Sequence, residues 1–83
     1  MLIVRKFDEI TPNDGATPLA WHEAYEGLYV EASGDVALTL ATGDEIIVPA
    51  IMPGVVHEQF EFTRVKLTGT TATGIYGVKG VRK

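Results

Sequence analysis

The chain has 83 residues and a net charge of −4, with eleven acidic residues, seven basic residues and no cysteine. That length fits one small domain; the composition excludes disulfides and thiolate metal sites, and two histidines are too few for a self-contained histidine metal centre. The acidic balance argues against nucleic acid as a main partner, and no segment approaches the length of a membrane span.

A core this small is marginal, because ordering costs about 1.5 kcal/mol per residue and burial does little more than offset it. With no disulfide to staple it, self-association or docking on a larger body is the expected source of added stability. Leu2–Val4 is too short for a signal-peptide core, and Arg5 and Lys6 follow it rather than precede it, so cytosolic synthesis is expected.

Val, Ile and Thr supply 24 of the 83 residues, and β-branched side chains favour strands. In chain order, a first strand is expected over Leu2–Phe7. Thr11–Glu23 holds Pro12, Pro18 and the sole tryptophan, and reads as an ordered loop with one helical turn near Leu19–His22. Trp21 and Tyr25 are candidates to anchor that loop on a sheet; Trp21 is equally an interface candidate, since tryptophan is enriched at interfaces. A second strand is expected over Ala24–Glu31.

Val36–Ala41 alternates, with Val36, Leu38 and Leu40 on one face and Ala37, Thr39 and Ala41 on the other. Thr42-Gly43-Asp44 then makes a tight hairpin into Glu45–Ala50. Pro49 and Pro53 close that strand, because proline cannot donate to a central ladder. Val55–Leu67 changes phase: Val56, Phe60 and Phe62 share parity, whereas Val65 and Leu67 have the opposite parity. A strand does that through a bulge or a change of partner, so a bulge is expected near Thr63-Arg64, where the chain passes from one sheet to another. The last strand is Gly74–Val81. Short strands with regular turns give an all-β fold, a small antiparallel β-sandwich or barrel, with residues 1–83 a single domain and 79–83 a basic C-terminal tail that orders on assembly.

All eleven acids lie between Asp8 and Glu61, and all seven basic residues lie outside that interval. If the chain ends meet, the molecule has a basic pole and an acidic body, and complementary poles orient subunits.

Little chemistry is legible. Gly69 and Gly74 bracket four small residues in Leu67–Gly77, but no lysine or hydroxyl follows Gly74, and no helix does, as a phosphate loop requires. His22-Glu23 and His57-Glu58 lack the second histidine of a helical metalloprotease motif. A metal shared between subunits through His57 and Glu61 is the weaker alternative to a polar strand face. Ser33 sits in a turn with no nucleophile elbow around it. No enzymatic activity, metal or cofactor is expected.

Several segments, in order, resemble a phage family: Ile10-Thr11-Pro12-Asn13-Asp14-Gly15, Gly27-Leu28-Tyr29-Val30, Gly34-Asp35-Val36-Ala37-Leu38-Thr39-Leu40, Gly43, Val48, Pro53-Gly54, Arg64-Val65 and Thr68-Gly69-Thr70-Thr71-Ala72-Thr73. Their order and spacing are similar to the head spike base proteins of gene transfer agents and related tailed phages, over about Ile10 to Gly77. The resemblance implies a small β-rich virion protein on the capsid exterior, forming a ring at five-fold vertices and carrying a fibre. Val55–Glu61 departs from the family's more apolar, proline-containing segment. A decoration or cement protein at three-fold positions is the sister role.

The expectation is thus a non-enzymatic virion protein that forms a trimer or pentamer, bound to the major capsid protein and, on the resemblance, to a spike fibre protein. Its interface candidates are Arg5, Lys6, Trp21, Arg64, Lys66, Thr70, Thr71, Thr73, Tyr76, Arg82 and Lys83. On the resemblance, Thr68–Thr73 lets backbones approach closely, either at a strand connection within the chain or around a symmetry axis. The alternative is a small carbohydrate- or ligand-binding β module with Trp21, Tyr25, Tyr29 and Tyr76 as stacking residues.

Overall fold

The structure, a computed structural model, describes residues 2–82. Six strands alternate with turns: β1 Leu2–Glu9, β2 Gly27–Ala32, β3 Gly34–Leu40, β4 Glu45–Ile51, β5 Phe62–Lys66 and β6 Thr73–Arg82. They form two antiparallel three-stranded sheets, ordered β1-β6-β2 and β4-β3-β5. The fold is all-β, as the composition predicts. Trp21–Glu23 is a single 3-10 turn, in the region where one helical turn is expected.

The core lies between the sheets. Leu28 and Val30 of β2 and Ile75 of β6 meet Val36 and Leu38 of β3, Ile51 of β4 and Phe62 and Val65 of β5, with Ala72 beside them. Alternation explains the choice: residues two apart along a strand share a face. The side chains of Leu28, Val30, Val36, Leu38 and Phe62 are wholly buried.

The β3–β4 hairpin forms as expected, with Val36, Ala37 and Leu38 opposite Val48, Ile47 and Ile46. Leu40 N–H donates to Asp44 O and Gly43 N–H to Leu40 O, closing the turn. On the outer face, Ala37 and Thr39 are also buried, because the segment after β5 and the Arg64 side chain cover them. Near the end of β4 the register shifts, and Ala50 takes a positive φ of 51°, held by Asp35 Oδ1 at 3.0 Å.

The expected long strand Val55–Leu67 is divided. Pro53-Gly54 makes a turn, and residues 54–62 run along the open side of β2. Leu28 and His57 exchange backbone bonds of 3.0 and 2.8 Å, and Tyr25 and Phe62 exchange bonds of 2.9 and 3.1 Å. Only Phe62–Lys66 pairs with β3, where Thr39 faces Arg64 and Leu40 faces Phe62. Thr63 is therefore the extra residue of a bulge, at the position the phase change indicates. The bulge lets Phe62 stay paired near β2 while the residues after it join the other sheet.

The 11–19 loop covers the open side of β5 through Asn13 N–H to Val65 O and Leu19 N–H to Thr63 O. With those edges covered, β1 and β4 remain as sheet edges. The segment expected as a basic tail is strand through Arg82: Lys79 faces Lys6 and Arg82 faces Leu2 in the β1/β6 ladder. Long-range pairing with β1 orders it within the chain. Lys83 lies outside the described residues.

Candidate functional site

The threonine-rich segment is a strand connection held within the chain. Thr70 Oγ1 accepts Ala37 N–H at 3.0 Å and donates to Lys66 O. Thr71 Oγ1 accepts Asp35 N–H at 2.8 Å, while Thr71 and Ala72 N–H both donate to Asp35 O. Gly34 makes room for this contact: a Cβ there would lie 2.5 Å from Ala72 N and 2.8 Å from Thr71 C, closer than backbone atoms allow. Thr70 and Thr71, proposed from sequence as interface residues, spend their hydroxyls inside the subunit. Thr73 is exposed and begins β6.

Asp14 ties the loop after β1 to the same connection. Its carboxylate accepts Leu67 N–H at 2.8 Å and Thr68 N–H at 3.0 Å, and also the Thr68 hydroxyl. The Thr68 hydroxyl and then the Thr68 amide hold the Asp14 carboxyl below its ordinary pKa of 3.8. Asn13 Oδ1 accepts Gly15 N–H at 2.8 Å, an Asx turn that sets the loop. The Ile10–Gly15 and Thr68–Thr73 segments, far apart in sequence, thus form one unit.

The basic residues divide between the sheets. Arg64 is a clamp: Nε donates to Thr39 Oγ1 at 3.1 Å, Nη1 to Ala16 O at 3.0 Å, and Nη2 to Glu45 Oε2 at 3.0 Å. Lys66 Nζ lies 3.2 Å from Glu45 Oε1. Both residues are therefore engaged within the chain, in the sheet that does not contain the termini. The termini do meet, and Arg5, Lys6 and Lys79 gather on the β1/β6 ladder. Lys6 Nζ is 3.4 Å from Asp8 Oδ2, and Lys79 Nζ sits 5.3 Å from the centre of the Tyr25 ring, within cation–π range. The basic pole expected from the sequence is thus two separate groups, each with acids beside it. The backbone of Arg82 belongs to β6.

Trp21 is 76% exposed and packs edge-on against His22 only, with ring centres 5.5 Å apart. It does not pin the loop to the sheet. Tyr25 does: its ring lies beside Phe62 and over Gly77, where a Cβ would come within 2.5 Å of it. Its hydroxyl donates to Asp8 Oδ2 at 3.0 Å. Burial, with the Asp8 contact second, pushes the Tyr25 hydroxyl above its ordinary pKa of 10.0.

An aromatic surface lies on the opposite face of the same sheet. Tyr29 and Tyr76 are cross-strand partners, and both rings meet Phe7, at centre distances of 5.1 and 4.6 Å. Phe7 is 44% exposed and Val4 is 45% exposed. The Tyr76 hydroxyl donates to Glu31 Oε1 at 2.7 Å, and that bond raises its pKa. Only Tyr76 of this group was singled out from sequence as an interface residue. The signal for the rest was present: Tyr29 lies between the core residues Leu28 and Val30, so alternation sends it outward.

On the outer face of the other sheet, a shallow depression of about 470 Å³ is lined by Ala37, Glu45, Ile46, Ile47, Lys66 and Thr68. His57 Nε2 is bonded to Met52 O at 2.9 Å. Among the described residues, no three His, Asp or Glu side chains are grouped to hold a metal ion, and no helix is long and apolar enough to cross a membrane. No protein-family model, curated protein or solved structure matches the chain.

Proposed function

We propose that this protein is a non-enzymatic structural component of a phage-type virion, which self-associates on the capsid exterior as a head spike base or a decoration protein. The observation that carries the proposal is the outward surface of Val4, Phe7, Tyr29 and Tyr76 beside the edge strand β1. An apolar, aromatic surface next to a sheet edge suits burial against another protein. The family resemblance supplies the virion setting. Its first and last quoted segments are joined here through Asp14 and Thr68, which gives a physical reason for their occurring together.

Native mass spectrometry across protein concentration and at two salt strengths, with co-sedimentation on empty capsid shells, tests the proposal. A pentamer supports the spike base, and a trimer supports decoration at three-fold sites. A persistent monomer that also fails to bind shells rejects the proposal.

The Phe7, Tyr29 and Tyr76 rings also favour a second reading, a small carbohydrate-binding module. Trp21 and Tyr25 fall outside that surface, so the platform would be Phe7, Tyr29 and Tyr76 alone. A glycan array with no signal would sink this alternative.

A further inference from the structure

The edge strand β1 reads Leu2-Ile3-Val4-Arg5-Lys6-Phe7-Asp8-Glu9. Two cations precede Phe7 and two anions follow it. A two-fold axis through Phe7 in an antiparallel β1–β1 pairing sets Lys6 opposite Asp8 of the second copy, and Arg5 opposite Glu9. The strand is complementary in charge to itself in this register. Opposite charges placed directly across an antiparallel pair attract, and like charges repel.

The backbone is oriented for the same pairing. Ile10 N–H donates to Ile75 O at 2.8 Å, and Glu9, Asp8 and Phe7 face Tyr76, Gly77 and Val78 in unbroken register. Hydrogen-bonding direction alternates along an antiparallel strand. The N–H and C=O groups of Glu9 and Phe7 therefore point away from β6, toward the open edge. Glu26 N–H donates to Val78 O from the β2 side, which agrees with this phase. The other edge, β4, is less suited to pairing, because Pro49 lacks a donor and Ala50 bends the strand with its positive φ.

Arg5 and Glu9 are exposed. Among the described residues, neither makes a hydrogen bond or ion pair within the chain. Phe7, at the axis, would meet Phe7 of the second copy and join the Tyr29–Tyr76 surfaces of both.

We propose that two copies of this chain associate through β1, antiparallel about Phe7, to give one six-stranded sheet with a continuous aromatic face. A closed two-fold contact between identical strands is isologous. It goes beyond the virion proposal and does not depend on it. Within a virion it makes the dimer a unit that capsid assembly links further.

The test uses the full chain with Arg5→Glu, with Glu9→Lys, and as a mixture of the two variants. The wild-type chain should give a mass of two subunits that grows with concentration, and the amides of Phe7 and Glu9 should exchange more slowly in the dimer. Each single variant sets like charges opposite each other twice and should weaken the dimer roughly tenfold or more. The equimolar mixture should restore it as a heterodimer, resolved by native mass spectrometry. Circular dichroism checks that each variant is folded. A wild-type chain that stays monomeric overturns the proposal, as do a dimer indifferent to both swaps and a mixture that does not restore pairing. A trimer or pentamer indifferent to the swaps overturns the β1 contact but leaves the virion proposal standing. A swap-sensitive dimer that ignores capsid shells does the reverse.

Discussion

Replacing Thr70 by valine separates an intrachain role of the threonine segment from a contact around a symmetry axis. Valine keeps the shape of threonine and removes the hydroxyl. That hydroxyl accepts Ala37 N–H at 3.0 Å and donates to Lys66 O, and Ala37 is only 3% exposed. Each lost hydrogen bond costs about 1 kcal/mol, and a buried donor left without an acceptor costs about 1–3 kcal/mol. These costs overlap, so the expected loss is about 2–3 kcal/mol. A domain of this size has roughly 4–12 kcal/mol of total stability, and the melting temperature should fall by about 10–20 °C. Thermal unfolding followed by far-ultraviolet circular dichroism, at dilutions that favour the monomer, measures the effect. Thr70→Ser keeps the hydroxyl and should recover most of the loss. Thr73→Val, at an exposed position with no side-chain hydrogen bond described, is the control. If Thr70→Val costs no more than Thr73→Val, the hydroxyl does not hold the connection, and the reasoning fails.

Phe62→Ala empties a wholly buried site where the chain passes between sheets; a loss of about 3–5 kcal/mol is expected in urea unfolding, and a loss below about 1 kcal/mol would mean that the corner repacks freely. Gly34→Ala presses a methyl group against the backbone of Thr71 and Ala72 and should cost roughly 1–3 kcal/mol; amide exchange should show the loss first at Thr71 and Ala72, and an unchanged pattern there would contradict the close approach. Asp14 has a folded-state pKa below its ordinary 3.8, so its contribution is full above pH 3.8 and is lost as pH falls through the lower folded value. Urea midpoints at pH 6 and pH 3 should therefore differ less in Asp14→Asn than in the wild type, and equal differences would refute the assignment. The raised pKa of Tyr25 acts at the other end: its contribution is full below pH 10.0 and is lost as pH rises through the higher folded value. Tyr25→Phe should flatten that alkaline limb, as read by fluorescence-monitored unfolding.

Interface residues were harder to read from sequence than the fold. Arg64, Lys66, Thr70 and Thr71 are the residue types that interfaces use, and sequence shows a charge or a hydroxyl without showing what lies across from it. Their partners Glu45, Thr39, Ala37 and Asp35 come from other strands or earlier turns, so folding alone decides that these groups are already engaged. Phe7 and Tyr29 were passed over for the opposite reason. Each is an ordinary strand residue alone, and only the register of β1, β6 and β2 makes them one surface with Tyr76. The charge order of β1 was visible from the start as part of a basic and acidic division. Its self-complementarity has meaning only once β1 is known to be an edge.

Local physics in the sequence determined the all-β class, the Thr42-Gly43-Asp44 hairpin, the inward face of Val36 and Leu38, and the bulge at Thr63. Each rests on residues close in sequence: alternation sets faces, glycine permits turns, and a parity change forces an extra residue. Tertiary structure decided what depends on distant pairs. It split the Val55–Leu67 run between two neighbours, drew Lys79–Arg82 into β6 against β1, and left Trp21 in solvent. It also closed the threonine connection through Asp14 and Asp35. Strand pairing supplies hydrogen bonds to whichever segment reaches an open edge, and that choice is made by the assembled sheets rather than by any one stretch of the chain.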